Sequence, residues 1–140
     1  MELVVAELKT ESLYQEITPS KNTILRAIRP HLYIHNNPSG SLKLQILDQN
    51  NELIAESETL AISDITSALY FHGYVRFYVN LYMQKDISYR IKLVGSGYSF
   101  SENAYVGWCN GFDLNKFSLN YTPINSFEYP LDFETWIRNP

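Results

Sequence analysis

Cysteine is almost missing from this chain, where Cys109 stands alone among 140 residues. One thiol excludes an intrachain disulfide framework and a thiolate-rich metal centre, and it fits a protein that matures in reducing cytoplasm. An excess of basic charge is missing too. Eleven Lys and Arg against 15 Asp and Glu leave a formal net charge of -4, so there is no electrostatic footprint for phosphate, and a nucleic-acid partner is not expected. No apolar run reaches the length of a membrane span. The stretch from Leu3 to Leu8 is too short and interrupted for a span or a signal-peptide core, so the expectation is a soluble protein made in the cytoplasm with no membrane partner. Internal repeats, low-complexity tracts and a composition shift that would mark a linker are also absent. The length fits one domain able to bury roughly two-thirds of its unfolded surface.

Long amphipathic helices are lacking as well, and what stands in their place is a succession of short alternating runs. They are separated by turn residues about every ten positions, the spacing of an all-β sandwich or barrel. Leu3 to Leu8 and Leu13 to Thr18 read as the first strands. Thr23 to Asn36 reads as extended, but Pro30 has no N–H to give to a ladder, which predicts a break, a bulge or an edge there. Asn37-Pro38-Ser39-Gly40 suits a type I turn, and Asp48 to Asn51 reads as a hairpin loop. Between them Ser41 to Leu47 puts Leu42, Leu44 and Ile46 on one face. Glu52 to Leu60 follows as a strand, and Ser63 and Asp64 cap a single helical turn between Ala61 and Ala68. Ser88 to Val94 alternates again. Asn110-Gly111 between Ala104 to Cys109 and Phe112 to Leu119 is the dipeptide best suited to a type I′ hairpin. The sandwich is thus expected over residues 1–119. Residues 120–140 form a C-terminal arm rich in aromatics (Tyr121, Phe127, Tyr129, Phe133, Trp136), which packs on the sandwich or on a neighbouring subunit.

The most informative segment runs from Tyr70 to Met83. Its odd positions (Phe71, Gly73, Val75, Phe77, Val79, Leu81, Met83) are apolar or small. Its even positions (Tyr70, His72, Tyr74, Arg76, Tyr78, Asn80, Tyr82) are polar or amphipathic. Period two, together with β-branched and aromatic residues, predicts one long strand or two joined by a bend, with one face in the core. The other face is a row of tyrosines interleaved with His, Arg and Asn. Tyrosine offers a stiff amphipathic surface for a protein interface, and its ring also stacks on sugars; alternatively, it covers a strand face simply because it favours strands. An aromatic content of 14% exceeds what one small core absorbs, which tips the reading towards an interface. Tyr70, His72, Tyr74, Arg76, Tyr78 and Tyr82, with Phe127, Tyr129 and Trp136 from the arm, are the candidate contact residues.

Signs of catalysis or cofactor binding are sparse. Gly95-Ser96-Gly97 lacks the third glycine and the following helix of a nucleotide loop. Cys109, with His31, His35 or His72 as base, would make a nucleophile, but in a strand beside a tight turn it reads as a buried hydrophobe. His31 and His35 share a strand face about 13 Å apart by the rise per residue, too far to hold one metal ion. Asp48, Asn50 and Glu52 alternate like the start of a calcium loop, without the glycine and bidentate Glu that complete one. Glu56, Glu58, Asp64, Asp86, Glu102, Asp113, Asp132 and Glu134 show no pairing of the kind a glycosidase needs. The expectation is a non-enzyme without cofactor or metal.

Leu42 to Asp48, Tyr70 to Met83 and Tyr89 to Leu93, taken together, resemble the jelly-roll sandwiches of carbohydrate-binding modules and of small accessory proteins of tailed-bacteriophage virions. The likeness spans residues 23–119. It implies an antiparallel sandwich of jelly-roll type that serves as a structural or adhesive subunit, as a capsid decoration or tail accessory of a virion. Its partners would be copies of itself, capsid or tail proteins. The alternative is a carbohydrate-binding module that presents an aromatic face to glycans.

Overall fold

The computed structural model describes residues 5–9, 13–68, 72–109, 119–122 and 133–140. In chain order these form β1 (Val5–Glu7), β2 (Leu13–Pro19), β3 (Thr23–His35), β4 (Ser41–Leu47), β5 (Leu53–Glu56), β6 (Leu60–Ala61), α1 (Ile62–Ala68), β7 (His72–Tyr74), β8 (Phe77–Met83), β9 (Tyr89–Ser96), β10 (Tyr105–Cys109), β11 (Leu119–Thr122) and β12 (Phe133–Arg138). The Asn110-Gly111 hairpin, Tyr70, Phe127 and Tyr129 lie outside the described residues.

Two antiparallel sheets pack face to face. One runs β1-β10-β3, with β7 and β8 along the far side of β3 and β12 continuing on the side of β10; the other runs β11-β2-β9-β4-β5, with β6 also on β4. The ladders are nested: β4 pairs β5, β3 pairs β7 and β8, β2 pairs β9, and β1 pairs β10. This wrapping of strand pairs around one inner hairpin is the jelly-roll topology. The C-terminal arm adds a strand to each sheet, β11 on β2 and β12 on β3.

The core lies between the sheets and follows from the period-two pattern. Leu42, Leu44 and Ile46 of β4 and Ile91 and Leu93 of β9 meet Leu25, Ile28, Leu32, Phe77, Trp108 and Phe133 of the facing sheet, all fully buried. Cys109 is buried as well, as expected of a small hydrophobe. Ile62 and Ile65 of α1 close the core on one side, with Asp64 in the helix's first turn. At the outer end of the second sheet, β5 leaves Leu53 and Ile54 exposed.

Pro30 does not act as expected. β3 neither breaks nor lies on an edge there: it is a central strand of 13 residues, and Pro30 is buried. The neighbours break instead. On one side β12 reaches Pro30 with Phe133, and β10 takes over at Leu32 with Trp108; on the other side β8 stops at Ile28 and β7 starts at His31. A residue without an N–H is tolerated where no continuous ladder asks it to donate, and the Pro30 carbonyl still accepts Val75 N–H at 3.0 Å. The same junction divides the tyrosine segment into β7 and β8. The irregularity in β3 falls at Arg26, where both ladders shift register, and the buried positions change from odd to even beyond it.

Two other segments depart from the sequence reading. Glu52 to Leu60 is split into β5 and β6 by Ser57, whose hydroxyl accepts Leu44 N–H and donates to Glu58 O. The reversal before β4 uses left-handed Asn36 and Asn37, with φ of 54° and 46°, ahead of the predicted turn. The Asp48 loop is a hairpin, as expected: Asp48 Oδ1 accepts Asn50 N–H at 2.8 Å and Glu52 N–H at 3.0 Å.

Tyr98 is spliced into the β1–β10 ladder. Leu8 N–H donates to Val106 O directly, while Val106 N–H donates to the Tyr98 hydroxyl, which in turn donates to Leu8 O at 2.7 Å. Tyr98→Phe is expected to cost about 1–3 kcal/mol in chemical denaturation, because it strands a backbone donor and acceptor. Burial pushes the phenol's pKa up, outweighing the hydrogen bond from Val106. A raised folded pKa means that the contribution is whole below the unfolded tyrosine pKa and is lost as pH rises through the folded one. The difference between wild type and Tyr98→Phe should therefore be constant near neutrality and narrow only at strongly alkaline pH. A constant difference through that range would contradict it.

Candidate functional site

The outer face of the first sheet carries a continuous band of aromatic and charged side chains, because β3 is flanked by β12 and β10 on one side and by β8 and β7 on the other. Ala27 is the pivot of one end. Both Tyr78 and Trp136 are registered opposite it, and residues opposite each other share a face. With only a methyl group between them, the two rings meet edge to face at 6.2 Å over the strand, and Ala27 is fully covered. Tyr78 is 47% and Trp136 42% exposed, far more than rings recruited for packing. Arg76, at the β7–β8 break, lies across both, its guanidinium 4.7 Å from the Tyr78 centroid and 5.1 Å from that of Trp136. Such cation–π contacts at a wet surface contribute about 0.5–1 kcal/mol each.

Beside this platform a cleft of about 540 Å³ opens between the β7–β8 junction, the β5–β6 connection and α1. Tyr74, Arg76 and Tyr78 form one wall, Leu60 and Ile65 the other, and Glu58 stands at the rim. Glu58 Oε1 accepts Tyr78 N–H at 2.9 Å, so a side chain satisfies a donor that this edge of β8 would otherwise present to solvent.

The other end of the band is built on β3, β7 and β10. His31 and His72 meet across strands with Nε2 and Nδ1 2.8 Å apart, one donating and the other accepting, and His31 stacks on Tyr74 at 4.7 Å. Tyr33 and His35 stack on each other, joined by a 3.1 Å hydrogen bond, and both touch Tyr105, which also meets Phe100. Burial raises the Tyr105 pKa. Arg29 links the two ends, over the Tyr74 ring at 5.8 Å and 3.7 Å from Glu134.

Of the residues singled out from sequence, the fold thus brings Arg76, Tyr78 and Trp136 into contact and sets Tyr74 beside them in the cleft wall. His72 is half-buried in the histidine pair. Tyr82 is exposed on the same face, registered with Ile24, one four-residue step of about 13 Å beyond Tyr78. The sequence reading did not find the His31–His72 pair, the Tyr33–His35–Tyr105 cluster or Glu58. The alternation of His31, Tyr33 and His35 signalled a shared face, but their partners depend on a register that only the folded sheet supplies. His31 and His35 themselves do not meet, and among the described residues no three His, Cys, Asp or Glu side chains gather as a metal site would require. No helix among the described residues is long and apolar enough to cross a membrane. The chain matches no known protein-family model and no curated protein.

Proposed function

We propose that this protein is a non-enzymatic adhesive or structural subunit of a larger assembly, a tailed-phage particle in the setting its resemblance implies, and that it holds its partner through the outer face of the first sheet. One observation carries the reading: Arg76, Tyr78 and Trp136 stand together, solvent-exposed and in mutual contact. Arg, Tyr and Trp are the residue types most enriched among interface hot spots; Tyr78 and Trp136 stand on strands of the sheet, and Arg76 on the short junction between β7 and β8. The cleft beside them supports a second reading, a carbohydrate-binding module, since an aromatic wall with a carboxylate at its rim is suited to pyranose rings and hydroxyls.

The double variant Tyr78→Ala/Trp136→Ala tests both readings. It is expected to fold as wild type, since both rings are exposed, and to lose its association with itself or with purified particles in sedimentation. On the carbohydrate reading, the oligomeric state stays the same and retention on a glycan array disappears. Unchanged sedimentation together with unchanged glycan retention would leave the face as mere strand chemistry and overturn the proposal.

A further inference from the structure

We infer that the cleft beside the platform binds a carboxylated saccharide, a sugar acid of the uronic or sialic type, with Arg76 as the receptor for its carboxylate; this rests on the adhesive reading of the face and names its ligand. Three cations of the surface pair with carboxylates of the chain: Lys9 with Glu7, Arg29 with Glu134 and Lys43 with Glu56. Arg76, which lines the cleft, does not. Among the described residues no carboxylate lies within ion-pair distance of it, and its guanidinium is held by the two rings instead. The two cation–π contacts hold the guanidinium beside the cleft, and an arginine fork takes a carboxylate through two parallel hydrogen bonds.

The rest of the cleft decides what carries that carboxylate. Its volume, about 540 Å³, falls in the range of small-ligand sites, about 300–1,000 Å³. Tyr74 and Tyr78 give the cleft an aromatic lining of the kind that packs against the C–H face of a sugar, and the Glu58 carboxylate can accept from hydroxyls. A neutral sugar would leave the charge of Arg76 unanswered. A peptide would enter by adding a strand to the β8 edge, but there the Tyr78 N–H is already taken by Glu58. A polyanion such as nucleic acid is disfavoured by the net charge of -4.

Titration calorimetry of the full chain with sialyllactose and with a galacturonic acid disaccharide, against lactose as the neutral counterpart, tests the inference. At least one of the two acids is expected to bind, with lactose weaker by at least about tenfold. Arg76→Lys should lose about tenfold or more, because a point charge cannot reproduce the fork, and Arg76→Ala should lose binding altogether while its thermal melting stays unchanged. Equal binding of lactose, retention of binding by Arg76→Ala, or no binding of either acid would overturn the inference. Capture of peptides with free C-terminal carboxylates in place of sugars would also overturn it. If no sugar binds but Tyr78→Ala/Trp136→Ala still loses its association, the adhesive reading survives and only the ligand falls; if neither readout moves, both fall.

Discussion

Phe77→Ala is expected to lower the unfolding free energy by about 3–5 kcal/mol, measured by chemical denaturation. Phe77 is fully buried at the start of β8, registered with Ile28 on the inner face, and its ring belongs to the cluster shared by both sheets. Removing it forfeits the transfer of a large apolar side chain and leaves a hole that two hydrogen-bonded sheets cannot close over, since neither can shift without breaking its ladders. The neighbouring Tyr78 makes the control, because it is on the opposite face and half exposed, so its truncation should cost only a fraction of that. A loss under about 1 kcal/mol for Phe77→Ala would mean that the strand is turned the other way.

Gly40→Val should be nearly as damaging, with a loss of about 3 kcal/mol or more, for reasons of backbone geometry rather than burial. Gly40 sits at φ 107°, which side-chain-bearing residues avoid, and a Cβ there would lie 2.7 Å from the carbonyl oxygens of Ser96 and Gly97. Those atoms belong to backbone and cannot swing aside, and the Gly40 carbonyl also accepts Ile62 N–H at the start of α1. Thermal melting of the variant measures the effect; a melting temperature equal to that of wild type would show that the β3–β4 connection tolerates another path.

Strand identity was legible from the sequence wherever one face is buried and the other wet. Leu42, Leu44 and Ile46, or Phe77 and Val79, announce their inward side by parity alone, because a slip of one residue would put every one of them in water. The helix at Ile62 was legible in place but not in its cap: Ser63 and Asp64, read as capping a single turn, lie inside the first turn of a helix of 7 residues that begins at Ile62. Pro30 was misread because its cost was assigned to its own strand, whereas the sheet solves the problem by changing partners on both sides of it. The three members of the platform, Arg76, Tyr78 and Trp136, were each named from the sequence, but not as neighbours. Their meeting and the place of Glu58 depend on which strands become neighbours, and no local pattern in the chain contains that information. The histidine pair escaped for the same reason: Tyr33 is registered with His72, so His31 and His72 meet on a diagonal that sequence spacing alone cannot supply.

The nested pairing also orders the events of folding. Among the paired strands of the nest only β4 and β5 are joined by a short loop; the β3–β8, β2–β9 and β1–β10 pairs enclose it in turn, and a further closure outside the nest joins Thr23 to Arg138, 115 residues apart, through the Thr23 hydroxyl and the Arg138 carbonyl. Ladders of such separation make slow folders, since loop entropy is lost before the contacts that reward it are made. On a ribosome, the side of β3 that receives β12 stays bare until residues 133–138 have emerged, leaving the backbone groups it turns to that side between Ile24 and Pro30 open to any other strand in reach. β12 thus covers that side of the central strand, and a chain cut before residue 133 would hold a sandwich with an open seam.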